Sequence, residues 1–208
     1  HEELAELDKP VTAKEVWKAI KSLPADKAPG PDGFTTQFYQ VMWDIIKAEM
    51  LAAVQQFFHG DNRSFELLNE ALIILLPKKE DAVDIGDYRP ISLLHSFAKI
   101  IAKILAGLLA KKLGSLAGRN QSAFTSGRSI QDNFALVHQT VKVLHSKQVP
   151  SLFRKLDVAK AFDSLAWPFL LEVLDRSGFG VRWRYWISSM SAPMRVMING
   201  LWGNLQLP

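Results

Sequence analysis

Residues 155–165 read KLDVAKAFDSL, an apolar segment that ends on a carboxylate. Asp157 closes a predicted strand, SLFRKLD (151–157), and Phe162 and Asp163 follow shortly after it. A carboxylate beside a backbone carbonyl at a strand terminus offers the hard oxygen ligands that Mg²⁺ accepts. Two acids at this spacing also arise often by chance. Taken alone, the segment therefore fits either half of a metal site or a structural turn.

The N-terminal part of the chain predicts two helices joined by a loop. Thr12 and Glu15 have the spacing of a capping box, and Pro24 stops the helix that they open. Residues 27–33, KAPGPDG, contain two Pro and two Gly and predict a loop. Residues 34–58 then return to helical spacing of their apolar side chains.

A strand and a long helix are predicted next. ALIILLPKK (71–79) has six consecutive apolar residues before Pro77, which is typical of a strand buried on both faces. Residues 97–109 carry one apolar stripe at helical spacing, and Gly114 is the predicted end of that helix. The remaining predicted elements are a loop (118–133), a helix (apolar residues 134–144), the 151–157 strand, a helix from Pro168 to Gly178, and a hairpin turning at Asn199-Gly200.

Composition limits the classes of protein that the chain can belong to. It has 208 residues, 48% hydrophobic, which is enough for a sizeable core. It has no cysteine, so disulfides and thiolate metal sites are excluded, and no apolar run reaches the length of a membrane span. We therefore expect a soluble, intracellular protein. His1 and Pro208 both look like cut ends, so we expect a fragment.

Positive charge is concentrated in the middle of the chain. No acid occurs between Asp87 and Asp132, and seven cations fall in that interval. Such a segment predicts a face that meets phosphates, with a solvated helix face as the alternative. The six tryptophans are predicted to pack in the core rather than to stack on bases. They are Trp17, Trp43, Trp167, Trp183, Trp186 and Trp202.

Five motifs occur together and in order: KAPGPDG (27–33), LLPKK (75–79), YRPISL (88–93), QSAFTSGRSIQDN (121–133) and KLDVAKAFDSL (155–165). This set resembles the N-terminal half of a non-LTR (LINE-type) retrotransposon reverse transcriptase, with a plant-like GRSIQDN. The resemblance covers nearly all of residues 12–208. It implies an α+β, right-hand polymerase fold of which this chain holds the fingers and part of the palm, truncated. The irregular mixture of helices and strands also favours α+β packing.

The resemblance divides the single partial domain, 1–208, into three parts. Residues 1–95 would form an N-terminal helix and the fingers, and residues 96–165 a palm segment with the polymerase A motif. Residues 166–208 would return towards the fingers and end in the hairpin. The rest of the palm and the thumb are not in this sequence.

The resemblance also implies roles for particular residues. Asp157 would be the catalytic, metal-binding aspartate, with the Val158 carbonyl as a companion ligand of a two-ion Mg site. Phe162 would lie under the incoming sugar and exclude a 2′-hydroxyl. Lys78 and Arg89 would hold the nucleotide triphosphate. The chemistry of the two side chains fits triphosphate binding, because lysine carries a compact point charge and arginine a planar guanidinium fork that matches phosphate oxygens.

The implied partners are an RNA template, a DNA primer and deoxynucleoside triphosphates, with no membrane. An active retrotransposon protein would work in the cytoplasm and nucleus. Asp163 is predicted to brace the turn after Phe162. The cations predicted to contact nucleic acid are Lys99, Lys103, Lys111, Lys112, Arg119 and Arg128.

The sequence lacks the remaining acids of such a site. Two-metal catalysis needs carboxylates that bridge both ions, and no Asp-Asp pair occurs in the 208 residues. The chain is therefore predicted to be a fragment of an RNA-directed DNA polymerase that is inactive alone. The alternative is a catalytically inactive, nucleic-acid-binding remnant. An unrelated metal phosphotransferase built on Asp157 is disfavoured, since no second acid lies on the same predicted strand.

Overall fold

A computed structural model describes residues 2–60, 65–158, 164–191, 194–198 and 201–205. The first half contains α1 (Glu2–Ala5), a 3₁₀ turn (Glu6–Asp8), α2 (Ala13–Ser22), α3 (Thr36–Val41), α4 (Trp43–His59), α5 (Phe65–Leu68) and β1 (Ala71–Pro77). There follow a 3₁₀ turn (Ile85–Asp87), β2 (Tyr88–Leu94), α6 (Ser96–Ala110), α7 (Leu113–Leu116), α8 (Ile130–Ser146), α9 (Trp167–Arg176), α10 (Val181–Ser189), β3 (Met194–Ile198) and β4 (Leu201–Leu205). The predicted mixture of helix and strand is confirmed.

The hydrophobic core lies among α2, α4, α6 and α10. The apolar stripe predicted for residues 97–109 supplies its centre, because Ile100 and Ile101 are fully buried there. Trp183 and Trp186 of α10 are also buried, and Trp17 stacks on the buried Trp43 with ring centroids 5.0 Å apart. Core packing is thus confirmed for these four tryptophans. Trp167 is exposed, which differs from the prediction, and Trp202 lies outside the side chains described.

The strands form one sheet in the order β2-β1-β3-β4. β1 pairs with β2 antiparallel and with β3 parallel, and β3 pairs with β4 antiparallel with Ile198 opposite Leu201, as the predicted hairpin requires. β1 is not buried on both faces as predicted. Ala71 and Leu72 are buried, but exposure rises towards Pro77, because β3 pairs only with residues 71–73 and the rest of β1 has β2 as its one neighbour among the described strands.

Two aspartates cap helices from far away in the sequence. Asp32 Oδ2 accepts a hydrogen bond of 3.1 Å from the backbone N–H of Ser96, the first residue of α6. Asp8 Oδ1 accepts one of 3.1 Å from the N–H of Trp183 in the first turn of α10. Neither helix is capped by the side chain of its own N-cap residue. The loop 27–33 and the N-terminal 3₁₀ turn are thereby fixed to the core helices.

Local signals in the sequence predicted most helix ends. The capping box of Thr12 and Glu15 is present, α2 ends just before Pro24, and Gly178 follows α9 in a left-handed conformation (φ 85°). Gly114 does not end the long helix as predicted. α6 stops at Ala110, and Gly114 lies inside the short α7.

The predicted strand 151–157 is wrong. Residues 151–158 form no helix or strand, and their side chains are exposed. A strand needs a neighbour for its backbone N–H and C=O groups, and no strand in the described part of the chain pairs with this segment. The apolar sequence is compatible with a strand, but apolar character alone does not supply the pairing. No helix among the described residues is long and apolar enough to cross a membrane.

Candidate nucleic-acid interface

The turn end of the β1–β2 hairpin brings Lys78 and Arg89 close together. Leu76 pairs directly with Arg89, and the ladder continues one step further because the Lys78 N–H donates to the Asp87 carbonyl at 2.8 Å. Residues two apart on a strand share a face, so Lys78 lies diagonal to Arg89. Both side chains are exposed, and neither has an ion pair among the described residues.

The turn of this hairpin is fixed by its own polar groups. Lys78 Nζ donates to the Gly86 carbonyl at 2.7 Å, and Lys79 pairs with Asp87 at 3.1 Å. The hydrogen bond from Lys79 lowers the pKa of the Asp87 carboxyl below its ordinary value. Lys79 is therefore paired with Asp87, whose charge also attracts Lys78, and Arg89 has no acidic partner among the described residues.

The KAPGPDG loop lies against the opposite end of β2. A Cβ on Gly30 would come within 2.2 Å of the Leu94 carbonyl oxygen, so a side chain has no room at this position. Asp32 also accepts from the N–H of Phe34 at 3.2 Å, and Lys99 Nζ donates to the Ala28 carbonyl at 3.2 Å. Lys99, predicted to contact nucleic acid, is half-buried and holds this loop through that hydrogen bond; its contact with nucleic acid stays a prediction.

Two of the cations predicted to contact nucleic acid form ion pairs with acids that are distant in sequence. Lys111 pairs with Glu15 at 2.8 Å, and Lys112 pairs with Glu6 at 2.5 Å. Burial acts to raise the pKa of Glu15, but hydrogen bonds from Lys111 and Thr12 outweigh it and leave the pKa below 4.5. The Lys112 hydrogen bond likewise lowers the pKa of Glu6. The acid-free interval in the sequence is therefore partly neutralised in space.

A groove of about 510 Å³ lies between α2 and α6. Its floor is apolar and includes Ile104 and Leu108, whereas Lys14, Lys18 and Lys103 stand on its rim. These three lysines have no ion pair among the described residues. Lys103 was predicted from the sequence, but Lys14 and Lys18 were missed, although their i, i+4 spacing places them on one helical face.

Arg128 is held by backbone oxygens rather than by an acid. Its Nη1 donates to the carbonyls of Gly118 (2.5 Å) and Gln121 (2.8 Å). Its Nη2 donates to those of Gly114 and Ala117, both at 3.2 Å. Arg128 was predicted to contact nucleic acid, and that prediction remains untested; the structure gives it a scaffold contact.

The neighbouring residues of GRSIQDN have structural roles too. Gly127 takes a left-handed conformation (φ 77°), and the Ser129 hydroxyl caps α8 by accepting from the Gln131 N–H at 3.2 Å. Asn133 Nδ2 donates to the Asn120 carbonyl at 2.9 Å. The predicted loop therefore already becomes helical at Ile130, four residues before Phe134.

Asp157 and Val158 are exposed at the end of the irregular segment 151–158. Phe162 and Asp163 lie outside the described residues. Among those that are described, no group of three or more His, Asp or Glu side chains could hold a metal ion. A two-ion Mg site requires several converging carboxylates, so the described residues do not form one, and Asp157 offers a single carboxylate.

Comparison with known proteins agrees with the motif pattern. The sequence model of the family "Reverse transcriptase (RNA-dependent DNA polymerase)" matches residues 76–203. The chain is 30% identical over 196 residues to the uncharacterized 149 kDa protein of transposon TX1 from Xenopus laevis. It is 31% identical over 166 residues to the Pol polyprotein of type-1 retrotransposable element R1 from Bradysia coprophila, and 28% over 183 residues to that of element R2 from Nasonia vitripennis.

These matches cover most of this chain and a small part of each relative. They include 94%, 78% and 84% of the chain, but 15%, 16% and 17% of the TX1, R1 and R2 proteins respectively. The matched segment is therefore about one sixth of a much longer protein in each case.

Proposed function

We propose, since this chain belongs to the reverse transcriptase family and to its LINE-type (non-LTR) retrotransposon branch, that it supplies the fingers and first palm segment of an RNA-directed DNA polymerase. In this role the chain binds an RNA template paired to a DNA primer and positions a deoxynucleoside triphosphate. Nucleotidyl transfer requires little covalent chemistry from the protein. These residues would therefore contribute by positioning the substrates and by offsetting the negative charge of the phosphates.

One observation carries the proposal most strongly: the register of the β1–β2 hairpin. It places Lys78 and Arg89, eleven residues apart in sequence, on one exposed face at the turn end of the hairpin. The adjacent Lys79 is paired with Asp87, whereas Lys78 and Arg89 form no ion pair among the described residues, so both are available to one anion. A triphosphate suits this pair, because an arginine fork and a lysine point charge together satisfy several phosphate oxygens.

The template–primer duplex has a second cationic surface available. Lys14, Lys18 and Lys103 rim the α2/α6 groove without acidic partners among the described residues. Phosphates spaced along a nucleic-acid backbone can meet such a row of lysines, with release of counterions. The apolar floor of the groove suits the sugar edges that lie between the phosphates.

Reverse transcriptases as a family depend on a divalent metal ion, which when bound would offset the charge of the triphosphate and lower the pKa of the attacking hydroxyl. Asp157 and the Val158 carbonyl are the residues of this chain that we assign to it, and Phe162 is assigned to exclusion of the 2′-hydroxyl. The other carboxylates must come from elsewhere in a complete polymerase domain. We therefore expect the 208-residue chain alone to be inactive in nucleotide addition.

Primer extension on an RNA template tests this assignment. The 208-residue chain should bind the primer–template but add no nucleotide. A polymerase completed with the remaining palm strands and thumb of the family, with these residues unchanged, should extend the primer. Asp157→Ala should abolish that extension, and Asp175→Ala, on exposed α9, should preserve it. Extension by the isolated chain, or by the Asp157→Ala enzyme, would refute the assigned role.

A second candidate function is a nucleic-acid-binding remnant without catalysis. It is favoured by the irregular, exposed conformation of residues 151–158 and by the lack of a carboxylate cluster among the described residues. The completed polymerase separates the two candidates. Binding of primer–template without any extension by that enzyme would support the remnant.

A further inference from the structure

The loop 118–125 projects an aromatic side chain into solvent. Ser122 and Thr125 are buried and anchor the loop, while Phe124 between them is 89% exposed. No aromatic ring of the described residues packs against the Phe124 ring. An exposed phenylalanine flanked by buried polar residues is the reverse of the usual arrangement.

The backbone of Phe124 is also strained. Its φ is 60°, in the left-handed region that residues with a bulky side chain rarely adopt. Glycine or asparagine would satisfy this turn at lower cost. Strained backbone conformations of this kind cluster at sites of ligand contact, where the surrounding structure holds them in place.

The loop is held rigidly by the start of α8. Arg128 donates to four carbonyls, two of them in the loop at Gly118 and Gln121, and Asn133 donates to the Asn120 carbonyl. Between these fixed points Arg119 is exposed and has no hydrogen bond or ion pair among the described residues. A cation and an aromatic ring are therefore presented together on a rigid loop.

We propose that the loop 118–125 is a contact site for an unpaired RNA strand, in which Phe124 stacks on a base and Arg119 binds a neighbouring phosphate. This site rests on the proposed nucleic-acid-binding function. It specifies where on the chain the RNA binds and through which contacts. Aromatic stacking needs an open base face, which a paired strand does not offer, so the single-stranded part of the template fits better than the duplex.

Arg128 is a positioning residue for this site. A guanidinium can donate to carbonyls on both sides of its fork, whereas a lysine ammonium donates from one point and cannot hold all four. Arg128→Lys should therefore keep the charge but release the loop. If Arg128 instead contacts phosphate directly, the lysine variant should retain most of the binding.

The test begins with Phe124→Gly in the 208-residue chain. Fluorescence anisotropy would measure the affinity for a labelled, unstructured RNA of about 20 nucleotides, long enough to cover one stacking site and its flanks. We expect affinity to fall roughly tenfold, with an unchanged salt dependence, because one stacked base is lost and no charge. The Tm should not fall, because glycine relieves the left-handed strain. Phe153→Gly, an exposed phenylalanine in an irregular segment, is the matched control and should bind normally.

Two charge variants test the rest of the site. Arg119→Gln should reduce the slope of log affinity against log salt by about 1, the signature of one phosphate contact. Arg128→Lys should weaken RNA binding at least as much as Arg119→Gln, because the released loop carries both contacts, and the double variant should be no worse than Arg128→Lys alone. Trypsin cleavage between Arg119 and Asn120 should also accelerate about tenfold in Arg128→Lys, since the released loop opens more often. Arg154→Lys, an exposed arginine, is the control.

The outcomes separate this site from the function that it rests on. If the wild-type chain binds no RNA at low salt, the proposed function and the site both fail. If the chain binds RNA and Phe124→Gly binds equally well, the site is wrong and the loop faces another kind of partner, such as a protein. Additive losses in the double variant, or unchanged trypsin cleavage in Arg128→Lys, would overturn the positioning role.

Discussion

Asp32 acts at two places at once, since its carboxylate accepts the N–H groups of Phe34 and Ser96. The first bond shapes the KAPGPDG loop, and the second satisfies the open N-terminus of α6. Ser96 is 64 residues away in sequence, so no local pattern could have predicted this cap. The capping box of Thr12 and Glu15 was predictable, because both partners lie within one helical turn.

Asp32→Ala should lower the free energy of unfolding by about 1 to 2 kcal/mol, because it removes the cap of a buried helix. Urea denaturation of the variant and wild type measures the change. Asp26→Ala is the control, since Asp26 is exposed in the preceding turn. Equal stability of the two variants would show that the cap contributes nothing.

A substitution at Gly30 tests the close approach between the KAPGPDG loop and β2. Gly30→Ala would force a methyl group to within 2.2 Å of the Leu94 carbonyl oxygen, so the loop or strand must shift. We expect a loss of about 1 to 3 kcal/mol in unfolding free energy, the usual cost of overpacking. Gly86→Ala should be near neutral, since no neighbouring atom lies within 4 Å of the place that its methyl group would take. A neutral Gly30→Ala would contradict the contact.

Glu15 provides a pH-dependent contribution to stability. Its pKa is lowered in the folded state from 4.5, so the charged carboxylate stabilises the fold above that pH and the contribution is lost as pH falls below it. Glu15→Gln keeps a side chain suited to the capping box but removes the ion pair with Lys111. The stability gap between wild type and variant should be up to about 1 kcal/mol at pH 7, since the pair is partly exposed.

That gap should shrink as the pH falls below 4.5, the ordinary value for the group. Thermal unfolding of both proteins, measured at intervals of about half a pH unit between about pH 3 and 7, would record how this stability gap changes. A gap that stays constant through this window would show that the charge of Glu15 is not involved.

At the level of elements, α8 and the segment after it differ from the rest of the fold. α8 has no buried residue, and a cleft of about 500 Å³ lies between it and residues 149–153. Leu152 is 91% exposed, and Phe153 and Leu156 are largely exposed too. The sequence predicted the helix correctly from its spacing. It could not show whether a neighbouring element covers the apolar face, which depends on tertiary contacts.

Substitution of Leu152 and Phe153 by Asp should therefore cost less than about 0.5 kcal/mol in unfolding free energy, because the side chains are exposed. The same change should reduce binding of a dye that reports apolar surface and should reduce self-association. Dye fluorescence and sedimentation, with Val83→Asp as an exposed control far along the chain, measure both. A large loss of stability would mean that the segment is packed.

The described part of the molecule combines a buried helical core with exposed segments that carry several of the family motifs. Motifs identified the family from sequence because their residues are fixed in type and order, and the family match confirms that identification. The plant-like assignment and the fingers and palm boundaries (1–95, 96–165 and 166–208) remain predictions. The partial neutralisation of the cationic interval by Glu6 and Glu15 could not be predicted, since it depends on how α2 packs on α6.

The salt dependence of binding to an RNA–DNA hybrid measures whether this chain holds a primer–template on a cationic surface. The triple variant Lys14→Gln, Lys18→Gln, Lys103→Gln removes the rim of the α2/α6 groove. The triple variant Lys47→Gln, Lys142→Gln, Lys147→Gln removes the same charge from exposed positions elsewhere. We predict that the first lowers the slope of log affinity against log salt by about 3 and that the second leaves it unchanged. Equal slopes for both variants, or no hybrid binding by the wild-type chain, would show that the α2/α6 groove is not the primer–template surface.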